Sequence, residues 1–276
     1  MEHSFGDALS RRAGRSPVRA IVLGSGTSTG VPVIGCTCAV CTGKHPKNQR
    51  TRASIAVEKD GETILIDTSP EMRLQVLRAG IHRLRAVLYT HLHADHAHGF
   101  DDLRAFFFQS RQALDVYLLP EMIPELRERF RYAFEDTGYL GAVPQLTLHA
   151  IPEGRFQVGP FAIDPVRLPH GHLETCGFRF DNFAYATDFK IFPQRTIEVW
   201  RGSIHTLLAS GIHFGQHPTH SVIPETLELF RQLEVRRGVI SHLAHQVDYE
   251  EHSRSLPPHV ELAFDGMTID LPPTSS

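Results

Sequence analysis

The fold of this chain is decided by Thr90-His91-Leu92-His93-Ala94-Asp95-His96, which follows an apolar run at residues 86–89. The apolar run predicts a buried strand. Alternate side chains of an extended backbone point the same way, so His91 and His93 can bind one cation. Asp95 and His96 then turn toward a second position beside it. A solvated loop would explain a single histidine, but four candidate ligands within residues 91–96 predict a metal site.

Further candidate ligands lie later in the chain, because two divalent ions about 3.5–4 Å apart need more ligands than this stretch supplies. Each directly follows a short apolar run that predicts a strand, and they are His170, Asp188 and His242. Loops at strand ends are where a rigid scaffold presents functional side chains. The composition agrees with metal chemistry, since 18 histidines stand beside 28 lysines and arginines.

A second kind of metal site is predicted by the cysteines. Cys36, Cys38 and Cys41 form a Cys-x-Cys-x-x-Cys loop, and the chain has only four cysteines in all. Three crowded thiols do not suit a disulfide framework. They can bind a tetrahedral Zn²⁺ at Zn–S distances of about 2.3 Å, although three free thiols are the simpler alternative. Spacing alone leaves three candidates for a fourth ligand: His45, Cys176 and His245.

The histidine-rich stretch resembles the signature of the metallo-β-lactamase fold family. The loop Gly24-Ser25-Gly26-Thr27-Ser28, the segment Gly30-Val31-Pro32 and the cysteine loop make the resemblance more specific. They are similar to the branch that contains the phosphoribosyl 1,2-cyclic phosphate phosphodiesterase of phosphonate breakdown. The resemblance implies an α/β fold, a four-layer αββα sandwich, which the grouping of predicted strands and helices also suits. We expect a hydrolase domain over residues 18–271, a disordered leader at 1–17 and a tail at 272–276.

The resemblance also implies a role for each site residue. Metal 1 is bound by His91, His93 and His170, metal 2 by Asp95, His96 and His242, and Asp188 bridges both. Asp67 orients the metal loop from a buried position, and His245 completes the zinc site with the three cysteines. His220 is the histidine of the substrate phosphate, and His217 is expected to bind substrate beside it. The residues expected to serve catalysis are His220, Asp95 and Asp67.

The implied activity is hydrolysis of a small cyclic phosphate ester. Two divalent ions, Zn²⁺ or Mn²⁺, would lower the pKa of a shared water molecule, so that hydroxide attacks the phosphorus. One structural Zn²⁺ would sit in the cysteine loop. His220 is expected to give the departing ring oxygen its proton. The expected partner is a small phosphorylated substrate, and a homodimer remains compatible with the sequence.

Three other functions stay open at this stage. An RNA 3′-processing nuclease of the same fold should carry a long arm or a basic patch, and neither is evident. A lactone or thioester hydrolase is compatible, because the metal centre does not dictate the electrophile. The cofactor-biosynthesis accessory proteins resemble this branch around the cysteine loop but have incomplete metal sites, whereas here each ligand position is filled.

The overall composition limits the partners and the cellular location that the sequence predicts. A net charge of −3 argues against stable binding to nucleic acid or to a membrane surface. No apolar run approaches the roughly 20 residues that span a bilayer. Residues 1–17 contain arginines but no apolar segment, which does not fit a secretory signal. Together with the cysteine usage, these features predict a cytoplasmic protein.

Overall fold

The computed structural model describes residues 17–136 and 141–272. Of the expected leader (1–17) and tail (272–276), only residues 17 and 272 lie within these ranges, so the rest of both lies outside the described residues.

Within the described ranges, the strands form two seven-stranded sheets. The strands are β1 (Arg19–Gly24), β2 (Ser54–Lys59), β3 (Glu62–Ile66), β4 (Ala86–Leu88), β5 (Leu114–Leu118), β6 (Leu146–Ala150), β7 (Phe156–Val158), β8 (Phe161–His170), β9 (Leu173–Phe180), β10 (Phe183–Ala186), β11 (Thr206–Ser210), β12 (Arg237–Ser241), β13 (Val260–Leu262) and β14 (Thr268–Asp270). The first sheet has the order β14-β1-β2-β3-β4-β5-β6, and the second has the order β13-β12-β11-β10-β9-β8-β7.

The described residues also form eight α-helices. They are α1 (Ala39–Thr42), α2 (Met72–Ala79), α3 (Ala94–Ala97), α4 (Arg104–Ser110), α5 (Met122–Arg129), α6 (Gln194–Trp200), α7 (Ile223–Leu233) and α8 (Tyr249–Ser253), with short 3₁₀ turns at Pro46–Asn48, Phe100–Leu103 and Arg131–Ala133. Helix α2 contacts β1 of the first sheet, while α7 contacts β11 and β12 of the second. The architecture is therefore an αββα sandwich, as the sequence predicted.

The larger apolar core contains side chains from both sheets. Ile55 and Leu65 come from the first sheet, Phe178 and Phe183 come from the second, and none is more than 1% exposed. Burying a side chain of this size contributes about 1.5–3 kcal/mol. A second apolar cluster, which includes Trp200 and residues of α7, packs beneath the helices of the second sheet.

The strand directions determine where the site can form. Strands β3 to β6 are parallel to one another, and so are β10 to β13. Parallel strands place their carboxyl ends at the same edge of a sheet, where α/β proteins bind ligands. The polar residues that follow β3, β4, β8, β10 and β12 are thereby gathered at one edge of the sandwich.

Candidate metal centres

The histidine-rich stretch begins extended and then turns. Strand β4 leads into it, His93 precedes α3, and the single turn of α3 carries Asp95 and His96. The Nε2 atom of His91 lies 2.9 Å from Nδ1 of His93. His170, at the end of β8, lies with its ring centre 5.7 Å from that of His91 and 5.3 Å from that of His93. These three histidines form the first candidate ligand group.

A second ligand group lies beside the first. The Nε2 atom of His96 is 3.2 Å from Oδ2 of Asp95 and 3.0 Å from Oδ2 of Asp188. The Nε2 atom of His242 is 3.3 Å from Oδ1 of Asp188 and 3.8 Å from Asp95. Because Asp188 also groups with His91, its carboxylate stands between the two positions. All seven side chains predicted as ligands are thus brought into one cluster.

The charge and hydrogen bonding of this cluster fit a divalent cation. Nε2 of His96 and both ring nitrogens of His242 are buried and lack a hydrogen-bond partner among the described residues. Burial would raise the pKa of Asp188, but His242 and His96 hold it well below its usual range. Burial would likewise raise the pKa of Asp95, yet the neighbouring His242 and His96 rings lower it. Buried carboxylates that stay ionised require positive charge nearby, and mixed imidazole and carboxylate donors suit Zn²⁺ or Mn²⁺.

Asp67 supports the cluster through hydrogen bonds to Thr90 and His96. One carboxylate oxygen accepts the Thr90 backbone N–H at 2.8 Å, and the other accepts the Thr90 hydroxyl at 2.8 Å. The second oxygen also lies 2.7 Å from Nδ1 of His96. Holding the Nδ1 proton of His96 leaves Nε2 free for a metal ion. Asp67 is therefore buried beside the candidate ligands and holds the segment that carries them.

Other ligand histidines are oriented in the same way. The Thr90 hydroxyl gives its proton to Asp67 and lies 3.0 Å from Nδ1 of His91, so it accepts from that nitrogen. His170 donates from Nδ1 to the backbone oxygen of Thr219 at 3.1 Å. In both rings Nε2 is left to face the candidate metal positions.

The backbone is strained at three of these residues. Asp67, Asp188 and His242 have φ angles of 63°, 51° and 57°, in the left-handed region that residues other than glycine seldom adopt. Each directly follows its strand or lies one residue beyond it, so the left-handed turn redirects the side chain into the cluster. Such strain is typical of functional sites. No feature of the sequence predicts these left-handed φ angles.

The cysteine loop forms a separate cluster. The Sγ atoms of Cys36, Cys38 and Cys41 lie 3.2, 3.5 and 3.6 Å from Nδ1 of His245. A tetrahedral zinc ion with bonds of about 2.3 Å to sulfur and 2.0 Å to nitrogen gives ligand–ligand separations of about 3.5 Å. Of the three candidates for the fourth ligand, the structure brings His245 to the thiols. His45 instead stacks on Tyr249, and Cys176 is fully buried in the core between the sheets.

His220 borders the metal cluster on its open side. Its Nδ1 atom is 3.1 Å from Oδ1 of Asp188, and its ring centre is 4.7 Å from that of His170. A cleft of about 390 Å³ opens here, lined by Ser28, His93, Asp95, His170, Gly171, His172, Leu173, Asp188, Thr219 and His220. The sequence analysis assigned no role to Ser28 or His172. Only the glycine- and serine-rich composition of the loop at residues 24–30 could have drawn attention to Ser28.

His217 lies one ring further out and is not among the residues that line the cleft. Its ring centre is 4.7 Å from that of His220. Its Nδ1 atom accepts the backbone N–H groups of Thr219 at 3.3 Å and of His220 at 3.1 Å. Burial and the neighbouring His220 lower the pKa of His217. The neutral ring therefore carries its proton on Nε2 and can act as a hydrogen-bond donor there.

Comparison with known proteins places the chain in a family. The model of the β-lactamase superfamily domain matches residues 62–243. A solved structure described as a new diphosphatase from the PhnP family superimposes with a TM-score of 0.87 and 35% sequence identity, covering 93% of this chain and 98% of that one. The chain belongs to the PhnP family of the β-lactamase superfamily. Its fold is the metallo-β-lactamase fold, as the sequence predicted.

Two further proteins are similar to this PhnP-family chain. An octanoyltransferase from Porphyromonas gingivalis is 38% identical over 254 residues, which are 91% of this chain but 51% of that protein. The chain spans no more than about half the length of the curated relatives it matches. The zinc-bound PqqB of Methylobacterium extorquens shares the fold, with a TM-score of 0.73 and 21% identity over 92% of this chain and 100% of that one. In the described part of the chain, no helix has the length and apolarity to cross a membrane.

Proposed function

We propose that this chain is a dinuclear metal-dependent phosphodiesterase that hydrolyses a small cyclic phosphate ester, similar to a phosphoribosyl 1,2-cyclic phosphate. The observation that carries the proposal is the position of His220. It stands at a polar cleft beside Asp188, on the open side of a cluster of seven candidate ligands. A phosphoryl group bound in this cleft would be in reach of the ligand cluster and of a histidine that can donate a proton.

The ligand cluster would hold two ions, His91, His93 and His170 at one position and Asp95, His96 and His242 at the other, with Asp188 between. When bound, the ions would supply positive charge to the phosphoryl oxygens and increase the acidity of water. Asp67 and Thr90 hold the histidine rings in the tautomer that leaves Nε2 free. We also assign a structural Zn²⁺ to the cysteine cluster with His245, which gives three metal ions per chain.

The chain's own contribution to bond cleavage is protonation of the leaving group. Opening a cyclic phosphate releases an alkoxide, which is a poor leaving group unless it receives a proton as the bond breaks. General acid help is typically worth about 10²–10⁴-fold in such a case. We assign that proton transfer to His220, and we assign to Nε2 of His217 a hydrogen bond to the part of the substrate that extends beyond the cleft. Asp67 and Asp95 serve the reaction by holding the ligand cluster in place.

Hydrolysis of a diphosphate is the second candidate, favoured by the description of the 35% identical relative as a diphosphatase. The two reactions differ in the leaving group. A phosphate leaving group is far more acidic than an alcohol and needs little help from a general acid. His220 should therefore matter much less for diphosphate cleavage than for ring opening.

An acyl substrate is suggested by the relative named octanoyltransferase and by the earlier alternative of a thioester or lactone hydrolase. The cleft does not favour it. Leu173 is the one large apolar side chain among the described lining residues, so an eight-carbon chain would bury little apolar surface there. We therefore propose that the partner is a small phosphorylated molecule. We propose separately that the protein is cytoplasmic and that it forms a homodimer.

The test compares wild-type protein with His220→Ala after both have been loaded with Mn²⁺ or Zn²⁺. The substrates are a ribose cyclic phosphate, an aryl phosphodiester with an acidic leaving group, a nucleoside diphosphate, an octanoyl thioester and a precursor tRNA. We expect the cyclic phosphate to be the best substrate. His220→Ala should lower kcat about 10²–10⁴-fold on it and much less on the aryl diester.

The matched control is His98→Ala, because His98 is an exposed histidine just after α3 and does not line the cleft. It should retain wild-type activity on every substrate. Metal content is measured for each variant, since His220 also lies within ligand distance of His170 and Asp188. Loss of an ion in His220→Ala would make His220 a ligand, and equal losses on both esters would reduce its role to phosphate binding. A wild-type preference for the diphosphate or the thioester would contradict the proposed substrate.

A further inference from the structure

Arg50 lies where the segments that carry the two candidate metal clusters meet. It is among the largest fully buried side chains in the described part of the chain, with an exposed fraction of 2%. Neither the sequence analysis nor the proposed mechanism gives it a role. An arginine is seldom buried to this extent unless its donors are paired.

The backbone of Arg50 holds the approach to the cysteine loop. Its N–H donates to the carbonyl of Val31, and the Val31 N–H donates back to the Arg50 carbonyl, both at 2.8 Å. Val31 precedes the cysteines by a few residues, and the N–H of Val33 in turn lies 3.3 Å from Sγ of Cys41. Arg50 is therefore joined through its main chain to the segment that presents three thiols.

The side chain of Arg50 holds a different segment, residues 242–248, which we call the double-ligand loop because it carries both His242 and His245. Nη1 donates to the carbonyl of Ala244 at 3.2 Å, and Nη2 donates to the carbonyl of Val247 at 2.8 Å. These two carbonyls lie on either side of His245 in the chain. One guanidinium thus holds the loop on both sides of His245, and Ala244 lies between His245 and His242.

Asn48 extends the same network to the end of the double-ligand loop. Its Oδ1 atom accepts from Nη2 of Arg50 at 3.0 Å and from the Tyr249 N–H at 2.8 Å. Its Nδ2 atom donates to Oδ2 of Asp248 at 2.7 Å. At the other end, the N–H of Ala244 donates to the carbonyl of Ile212 at 2.9 Å. The loop is therefore held at several points, and Arg50 lies at its centre.

The charge and shape of arginine suit this position. Burial lowers the pKa of Arg50 to about 10, and Asp248 and Asp265 oppose that decrease, so the side chain stays cationic at neutral pH. A guanidinium presents several donors in a fixed planar fork, whereas lysine offers one point charge on a flexible chain. The fork reaches the carbonyls of Ala244 and Val247 from two different nitrogens, whereas the three donors of lysine all sit on one nitrogen.

We infer that Arg50 is a positioning residue that fixes the double-ligand loop, so that His242 and His245 reach their two metal clusters together. The inference rests on the proposed metal centres but concerns metal affinity rather than turnover. Outer partners that orient metal ligands are typically worth about 10–100-fold in metal affinity. Metal 1 provides an internal comparison, because His91, His93 and His170 belong to other segments.

The test is Co²⁺ binding to metal-free wild-type protein, Arg50→Met and Arg50→Lys, in competition with a chelator. Cobalt bound to thiolates gives a charge-transfer band that cobalt bound to histidine and aspartate lacks, so the two clusters are read separately. In Arg50→Met we expect about 10–100-fold weaker binding at the cysteine cluster and at the second ion of the histidine–aspartate cluster. Binding of the first ion should change little. Arg50→Lys keeps the charge, so its loss of Co²⁺ affinity should lie at the lower end of that range. It is the deciding variant if Arg50→Met does not fold.

Lys59→Met is the matched control, since it removes another buried cation, paired with Asp181 at the far end of β2. Lys59→Met should lower the melting temperature without changing the Co²⁺ affinity of the cysteine cluster or of the histidine–aspartate cluster. Wild-type affinities in both Arg50 variants would overturn the inference, and so would equal weakening of all sites in Arg50→Lys and Lys59→Met. Wild-type protein that binds no Co²⁺ at the histidine–aspartate cluster would overturn the proposed function along with it, which distinguishes the two failures.

Discussion

Three buried aspartates of the same chemical type occupy different roles because their surroundings differ. Asp67 accepts the Thr90 N–H, the Thr90 hydroxyl and the Nδ1 proton of His96, and it belongs to none of the candidate ligand groups found among the described residues. Burial raises its pKa. Around Asp95 and Asp188 the neighbouring histidines outweigh the effect of burial and lower the pKa values. Hydrogen-bond partners, rather than residue type, therefore separate a supporting carboxylate from a ligand.

The thiols of the cysteine loop should differ in reactivity when the metal is removed. The pKa of Cys38 is lowered to about 6 because its sulfur accepts the Cys41 backbone N–H, whereas burial raises the pKa of Cys41 to about 11. A thiolate forms above its pKa and is the reactive species. At pH 7 we expect iodoacetamide to label Cys38 well before Cys41, at a rate that rises through about pH 6 and then levels off.

Peptide mapping by mass spectrometry after short labelling at several pH values checks this prediction. The fully buried Cys176 is the internal control and should stay unlabelled. Added Zn²⁺ should protect Cys38. Labelling of Cys41 ahead of Cys38, or a Cys38 rate that keeps rising above pH 8, would contradict it.

At this scale the sequence predicted which residues meet but not how they are oriented. The spacing of His91, His93, Asp95 and His96 indicates metal ligands without a structure. The left-handed φ angles of Asp188 and His242 could not be anticipated, because aspartate and histidine carry no signal that requires them. They are imposed by the packing of strands that are distant in sequence.

Elements with strong local signals form where the sequence predicts them, since an Asp-Gly pair predicts a hairpin turn and a glycine predicts the end of a helix. The Asp60-Gly61 turn joins β2 and β3, with both residues at positive φ, and Gly80 ends α2 at a φ of 67°. Elements held mainly by packing differ. The sequence predicts a helix over residues 99–109, where the structure has a 3₁₀ turn followed by α4. It also predicts a charged amphipathic helix over 121–134, where α5 ends at Arg129. Strand β7 has three residues, too few to show a periodic pattern.

The glycine-rich loop at residues 24–30 has a structural reason for its composition. Gly26 donates to the Thr51 carbonyl at 2.8 Å and forms bridges with both Arg52 and Leu243. A Cβ atom at residue 26 would lie 2.9 Å from the Arg50 carbonyl oxygen. The loop therefore passes through a narrow space between the first sheet and the double-ligand loop.

Gly26→Ala should consequently destabilise the protein. Backbone atoms cannot move aside as a flexible side chain would, and overpacking of this kind costs about 1–3 kcal/mol. Gly154→Ala is the matched control, since nothing lies within 4 Å of a Cβ there. Urea unfolding of the metal-free proteins measures both changes. Equal free energies of unfolding for the two variants would contradict the close approach at Gly26.

At the scale of the whole molecule, both candidate metal clusters depend on the packing of one sheet against the other. The segments after β3 and β4 supply Asp67 and the histidine-rich stretch, whereas β8, β10 and β12 lead to the other three ligands. The cysteine loop likewise meets His245 from the second sheet. These residues could be identified from the sequence, but their pairing across the sandwich depends on long-range contacts that no local pattern encodes. Metal binding should therefore be linked to folding.

The end of the sandwich away from the metal clusters is held by a different contact between the sheets. Lys59, at the end of β2, lies 2.7 Å from Asp181 in the turn between β9 and β10, and both side chains are largely buried. Removing one partner of a buried ion pair costs about 3–5 kcal/mol, because the other charge is left without compensation. Lys59→Met should lower the free energy of unfolding by about this amount.

The same variant tests whether the two ends act independently. A ligand at about 100 times its Kd stabilises the folded state by about 2.7 kcal/mol. Effects at distant sites that share no partner usually add to within about 0.5 kcal/mol. Thermal unfolding with and without Zn²⁺ should therefore give the same metal-dependent gain in wild type and Lys59→Met. A gain that shrinks in Lys59→Met would show that the ion pair also sets the spacing of the sheets at the metal edge. Restoration of the full gain in the double variant Lys59→Met/Asp181→Asn would then attribute that effect to the uncompensated carboxylate.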